Sequence, residues 1–227
     1  MRWLTRDGLI AACAVGAGTT WGLGWGGLAL LTAFFVSGSI LTQLAERGAG
    51  PRRTARQVLA NGGVAAVAAL FGAWTAASGA IAAAAADTWA TEIGAFSPLP
   101  PRLITTGHRV TRGTSGGLTA LGTLGGVAGA ASIAWLAGVV APRGMAPGLA
   151  TLTGAGVAGM LADSLLGATL QGKYQCPACD ARFERANTVC HEPVRLTAGW
   201  GWLDNDGVNL AATVCGAAVA VVLQGSP

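Results

Sequence analysis

Long uncharged stretches, separated by short polar segments, organise this chain. Residues 8–44 hold no charged side chain. A helix needs about 20 apolar residues to cross a bilayer, so this stretch predicts two passes with a turn near Gly22–Gly26. A polar segment from Glu46 to Arg56 follows. Further spans are predicted at 57–76, 79–95, 114–140, 147–171 and 206–224. Between them lie Ser78-Gly79, Pro98-Leu99-Pro100-Pro101, Pro142 and Pro147, which are turn formers. The pattern predicts an all-α fold, a polytopic transmembrane helical bundle of six or seven spans. It forms a single membrane domain over 1–227, with a Cys-rich loop at 172–205.

Composition supports that class. Of 227 residues, 52% are hydrophobic and 11% charged, where soluble domains carry about 25% charge. The mean hydropathy is +0.53. The 36 glycines and the alanine runs suit helices that approach closely in lipid. Net charge is +4, and all but one of the 14 basic residues are arginine. They cluster at the N-terminus (Arg2, Arg6), at 47–56, at 102–112 and at 173–195. The connections at 21–27 and 77–79 hold none, and 141–147 holds only Arg143. The positive-inside rule places all four clusters, and the N-terminus, in the cytoplasm. Seven spans satisfy this alternation, as do five spans plus a re-entrant N-terminal hairpin. The first apolar run is too long for a secretory signal, and no clear small-residue cleavage site follows it. The basic balance reports loop orientation rather than a nucleic-acid partner.

Two acids break the apolar runs. Asp87 closes the run from Gly79 to Ala86, and Asp163 is the single charge between Gly144 and Gln171. A carboxylate at mid-bilayer costs about 2.5–3.5 kcal/mol on insertion scales, so it is usually functional. Both acids fall about 12 Å below the cytoplasmic interface at 1.5 Å per helical residue. Gln57 and Asn61, spaced i and i+4, open one span from that side, and Asp204, Asn205, Asp206 and Asn209 open the last. Asp87, Ala90, Thr91 and Gly94 share a helix face whose small residues leave room for a ligand or metal. Glu92 points elsewhere. The bland alternative pairs Asp87 with a loop arginine.

The segment Arg102 to Gly117 places Arg109 and Arg112 before Gly113, Thr114, Ser115, Gly116 and Gly117, at the opening of an apolar helix. Backbone N–H groups there suit an anion, and guanidiniums grip phosphate in two-point contacts. Positive-inside arginines with a hydroxyl cap account for the same residues. His108 reads as a loop residue. No G-x-x-x-x-G-K-[ST] occurs, which excludes a P-loop kinase. Two carboxylates at one depth beside a phosphate-holding loop suggest Mg²⁺ bridging nucleotide phosphates. Coupled cation or proton transport would use the same pair.

Cys13 and Cys215 lie in apolar spans as small packing residues. Cys176, Cys179, Cys190 and His191 form C-x2-C-x10-C-H, a ligand set for tetrahedral Zn²⁺. A reducing cytoplasm disfavours disulfides there. Four protein ligands leave the metal no catalytic position, so its role is to fold the loop.

Three strings together, A-A-A-A-D-T-W-A-T-E-I-G (83–94), R-G-T-S-G-G-L-T-A-L-G-T-L-G-G (112–126) and L-A-D-S-L-L-G-A-T-L-Q (161–171), resemble the polytopic membrane family of domain of unknown function ninety-two. Residues 57–62 and 204–209 extend the likeness, which covers roughly residues 20–212. The family includes a plant phytyl-phosphate kinase. Asp87, Ala90 and Gly94 are also similar to the D-x-x-A-x-x-x-G of CTP-dependent polyprenol kinases and related cytidylyltransferases. Those kinases carry lysine and glutamate where this chain has Arg112 and Gly116. The resemblance implies nucleotide and metal contacts at Asp87 and phosphate contacts around Thr114–Gly117. The expected activity is transfer of a phosphoryl group from a nucleoside triphosphate to an isoprenoid alcohol or monophosphate. Asp87 and Asp163 would hold Mg²⁺, and Asn205 and Asn209 would orient the acceptor. Lipid nucleotidyl transfer and secondary transport are the alternatives.

Overall fold

The computed structural model describes residues 3–46, 52–184 and 188–225. Arg2, Arg47 and Arg185, counted above in the basic clusters, lie outside these residues. Six helices carry the fold: α1 (Arg6–Ala45), α2 (Ala55–Leu70), α3 (Trp74–Gly94), α4 (Ala120–Val140), α5 (Leu149–Thr169) and α6 (Asn205–Gly225). α1 is two helices joined at Gly24, where φ is 64° and ψ −158°, a conformation that glycine adopts without penalty. The chain reverses there. A Cβ on Gly16 would lie 3.9 Å from Leu28 Cδ1, although a straight helix would separate the two residues by about 18 Å.

Both legs of this hairpin run the full depth of the bundle. Gly22 abuts Ala69 near the end of α2, and Gly26 abuts Val140 at the end of α4. At the opposite end, Gly8 and Gly38 both meet Arg53. The N-terminal stretch is therefore two complete passes, and the re-entrant alternative falls away. Counting the legs, seven helical segments run between the two ends of the bundle among the described residues. Four helices (α1, α4, α5 and α6) are by themselves long and apolar enough to cross a membrane, and α2 and α3 run between the same two ends.

α3 occupies the centre. Its residues from Ala77 to Ala86 are all buried, and the neighbouring helices meet them through glycine. On α4, a Cβ at Gly122, Gly126 or Gly129 would lie 2.6, 3.0 or 2.9 Å from the carbonyl oxygens of Ala90, Ala86 and Ala85. Gly156 of α5 stands in the same relation to Ala82, at 3.0 Å, and Gly216 of α6 to Gly79, at 2.7 Å. Close approach of small residues is the main source of helix association where lipid removes the hydrophobic drive. The turn expected at Ser78-Gly79 accordingly lies elsewhere. It falls at Phe71–Ala73, where Gly72 (φ 66°) follows α2 and its N–H reaches Ala69 O at 2.8 Å. Ser78 and Gly79 are turn formers by propensity, but here their small size admits α6.

The bundle exterior exposes Leu124, Trp135, Leu161, Leu165, Val214 and Val221, the surface a bilayer covers. Exposed Trp21, Trp25 and Phe71 mark one end, and Phe96, Trp200 and Trp202 the other. Aromatic side chains favour these interfacial positions. Two small sheets stand outside the bundle at the second end. β1 (Arg102–Leu103) pairs antiparallel with β2 (Gly117–Leu118). β3 (Lys173–Gln175) lies between β4 (Arg182–Phe183) and β5 (Arg195–Ala198). The span expected from residue 114 therefore begins later, with Thr119 capping α4 through Gly122 N–H at 3.0 Å.

Gly216→Ala would set a methyl 2.5 Å from Ala83 Cβ and 2.7 Å from Gly79 O. It should lower stability by about 1–3 kcal/mol, the usual cost of overpacking. Gly63→Ala, which meets nothing within 4 Å, is the control. Equal thermal midpoints for the two variants in detergent would refute the α3–α6 seam.

Candidate functional site

Helices α3 and α5 run in the same direction, and Gly159 of α5 presses against Ala83 of α3. One turn further along each helix stand Asp163 and Asp87, so the acids face each other at one level. Their carboxyls lie within electrostatic range, as do those of Asp163 and Glu184. Asp163 Oδ2 is buried and has no hydrogen-bond partner. Among the described residues, ion pairs join Arg56 to Asp204 and Asp206, and none reaches Asp87 or Asp163. Among the described residues, the loop-arginine alternative for Asp87 has no ion-pair partner. Ala90 and Gly94, expected to leave room beside Asp87, instead receive Gly126 and Gly122 of α4.

Glu92 turns away from this pair and accepts a hydrogen bond from Thr42 Oγ1 at 2.6 Å. Near it, the Arg53 guanidinium lies 5.7 Å from the Phe34 ring centroid and 5.6 Å from that of Phe35. Arg53 had only the signature of a positive-inside arginine in the sequence. Its contact with Gly38 and with the aromatic pair depends on the hairpin.

The segment 102–118 forms a β-hairpin against the end of α5. Gly116, with φ 81°, sits so close that a Cβ would lie 2.6 Å from Ser164 O, and Gly167 faces Ser115. This places the Gly113–Gly117 loop beside Asp163 rather than on the end of α4. Two of its N–H groups serve its own turns: Thr114 donates to Thr111 O and Gly117 to Thr114 O. Ser115 differs. Its N–H, at 3.2 Å, and its hydroxyl both donate to Glu184 Oε1. Gln171, 1% exposed, donates from Nε2 to Glu184 Oε2 at 3.2 Å. Arg112 donates to Ala95 O at 2.6 Å and to Ser97 O, closing the end of α3. Arg109 and His108 are exposed on the hairpin. Glu184 was not among the residues expected here, and Gln171 was legible only as the last letter of the third string.

Around α6 the polar residues divide. Asp204 accepts from Gly207 N–H at 3.1 Å and pairs with Arg56 at 2.7 Å. Arg56 also reaches Asp206 at 3.6 Å. Gln57 forms a capping box with Thr54, and Asn61 Nδ2 donates to Gln57 O at 3.0 Å. Asp204 and Gln57 close helix starts, and Asn61 bonds back within α2. Asn205 is exposed and Asn209 half-buried. Neither side chain has a hydrogen bond among the described residues, which leaves both amides available.

Beyond β3 the chain folds as a knuckle. Asp180 N–H donates to Cys176 O at 3.0 Å and Cys176 N–H to Ala181 O at 2.9 Å, which turns Cys179 back toward Cys176. The bridge between Val189 and Pro193 brings up Cys190 and His191. The ligand atoms of Cys176, Cys179, Cys190 and His191 all lie within 4.8 Å of one another. Cys179 Sγ and Cys190 Sγ are 3.5 Å apart, and His191 Nδ1 is 3.3 Å from Cys190 Sγ. Backbone hydrogen bonding, chiefly at Glu192, draws the Cys176 thiol down to about 6, while the hydrogen bond with Cys179 pushes the Cys190 thiol up. The cluster can hold a metal ion, and its donors suit zinc.

The family model described as "Integral membrane protein DUF92" matches residues 1–217. The chain belongs to this family. It is 32% identical to an uncharacterized membrane protein of Methanocaldococcus jannaschii, over 98% of this chain and 86% of that one. It is also 32% identical to Protein PGR of Arabidopsis thaliana, over 81% of this chain and 76% of that protein. No solved structure matches it significantly. The resemblance carried by the three strings is thereby shown at the level of the family, and the chain is an integral membrane protein.

Cys176→Ser should strip the cluster of its metal. Protein purified without chelator is expected to fall from about one zinc per chain to near none by elemental analysis, following loss of one of four ligands. Unchanged metal content would remove the cluster as a metal site.

Proposed function

We propose that this chain is a membrane-embedded kinase moving a phosphoryl group from a nucleoside triphosphate to an isoprenoid alcohol or isoprenoid monophosphate. One observation carries the reading. The Gly113–Gly117 loop, with Ser115 donors directed at a carboxylate, lies on the same α5 surface as the unpartnered Asp163 oxygen. A group that accepts hydrogen bonds is therefore held next to two acids that no basic side chain among the described residues pairs.

In this reading Asp87 and Asp163 would hold Mg²⁺, and the chemistry it would supply is charge neutralisation at the phosphate. An orphaned buried carboxylate oxygen fits such a role, since a cation returns the free energy its desolvation costs. Ser115 and the loop backbone position the transferring phosphate. With Arg112 engaged at the end of α3, Arg109 is the guanidinium left to reach nucleotide phosphate. The acceptor oxygen attacks the terminal phosphorus and the nucleoside diphosphate departs. Phosphoryl transfer asks a protein mostly for positioning and charge neutralisation, and an acceptor monophosphate is already deprotonated. Asn205 and Asn209 orient that acceptor, whose apolar tail enters laterally between helices. The positive-inside rule supports a cytoplasmic orientation for this end, the side on which nucleotide is present. Coupled transport is less favoured, because α3 and α5 run unbroken where transporters interrupt the helices that carry their sites.

Purified protein in detergent with Mg²⁺ should convert phytyl or geranylgeranyl monophosphate to the diphosphate with one of CTP, ATP, GTP or UTP. Asp87→Asn should cost on the order of a hundredfold or more in turnover while eluting as the folded wild type does. Release of pyrophosphate with a nucleotidylated lipid would replace the kinase by nucleotidyl transfer. Near-full activity of the variant would remove Asp87 from the mechanism.

A further inference from the structure

Glu184 is an acid near the site that the proposed mechanism leaves unused, and its contacts are those of a bound anion. Its two oxygens divide three donors from separate parts of the chain. Ser115 N–H and the Ser115 hydroxyl approach Oε1, and Gln171 Nε2 approaches Oε2. Gln171 is buried to 1% exposure, and its N–H ends a helix–strand junction fixed by Gln171 N–H to Leu166 O at 3.0 Å. The hydrogen-bonding capacity of the pocket is thus built into the bundle, while the acid that fills it belongs to the Cys-rich loop, directly after β4. Glu184 also lies within electrostatic range of Asp163. An anion there is repelled by its neighbour unless a cation stands between them. A phosphoryl group accompanied by Mg²⁺ brings that cation, and a lone glutamate does not.

We propose that Ser115 and Gln171 form a subsite for a phosphoryl oxygen, and that Glu184 fills this subsite until a ligand phosphate displaces it. The inference rests on the reading of the Gly113–Gly117 loop as phosphate-facing, and it adds Gln171 as a positioning residue. It also gives the metal-binding loop a role in ligand entry. Glu184 and the Cys176–His191 cluster share that loop, so arrival of phosphate frees the segment that the carboxylate holds down. A ligand that must first displace an internal competitor binds more weakly by the fraction of time the site is free. Removing the competitor's charge should therefore tighten binding.

The test uses the full-length protein in detergent, with inorganic pyrophosphate and Mg²⁺ as probe and calorimetry as readout. Glu184→Gln should bind pyrophosphate about tenfold more tightly than wild type, as expected when a competing internal state is relieved. Ser115→Ala added to Glu184→Gln should reverse the gain, and Gln171→Leu should weaken binding in either background. Unchanged or weaker binding by Glu184→Gln would overturn the proposal, the weaker case making Glu184 a ligand-holding residue. Absence of pyrophosphate binding in both wild type and Glu184→Gln would overturn it as well. Kinase activity is scored separately. Tighter pyrophosphate binding without any lipid diphosphate product would sink the kinase and leave the subsite. Diphosphate formation with no gain in Glu184→Gln would do the reverse.

Discussion

Close contact between α3 and its neighbours is the constraint on which the rest depends. Between apolar helices in lipid there is no hydrophobic gain, so cohesion comes from contact and from the short separations that small residues allow. α3 supplies an almost unbroken alanine surface from Ala77 to Ala86, and α4, α5 and α6 bring glycines to it. At these distances helix positions are defined to within a side-chain atom. Asp87 and Asp163 face each other because Ala83 and Gly159 touch one turn away. A bulkier seam would separate the acids as surely as mutating one.

The same economy governs the polar residues at the loop end. Many that look available are engaged with backbone. Arg112 closes α3, Asp204 and Gln57 close the starts of α6 and α2, and Lys173 Nζ donates to Ala168 O at the end of α5 at 2.7 Å. The surface pair Arg56–Asp204 adds under about 1 kcal/mol, yet it ties two helix starts together. Among the described residues of this end, the Asp163 oxygen and the amides of Asn205 and Asn209 have no hydrogen-bonding protein partner, and Arg109 is exposed. Those groups lie on the elements that flank the pair of acids, and this separation of structural from available polar groups is what gives the end its chemistry.

The Cys-rich loop joins metal binding to that end. Its three-stranded sheet carries the knuckle, and Glu184 follows β4 directly, reaching back to Ser115 and Gln171. A metal held by Cys176, Cys179, Cys190 and His191 would stiffen the segment from which Glu184 projects. Family membership extends across nearly the whole chain, loop included.

The linear pattern was sufficient for the membrane class, the all-α bundle, the reversal near Gly24 and the placement of every basic cluster on one side. Each of these depends on local composition, since an uncharged run of given length can satisfy its backbone in lipid only as a helix. The two intramembrane acids and the metal ligands were legible for a related reason, being chemically out of place or closely spaced. Other features required the packed structure. Ser78-Gly79 has the composition of a turn, and only α6 pressing on it shows why small residues stand there. Ala90 and Gly94 suggested space for a ligand, but α4 fills it. The Gly113–Gly117 loop seemed to open α4, whereas pairing of β1 with β2 carries it to α5. Glu184 meets Ser115 across 69 positions of sequence, a pairing no local pattern encodes. Long-range partners are chosen by which surfaces come together, and that choice belongs to the tertiary structure.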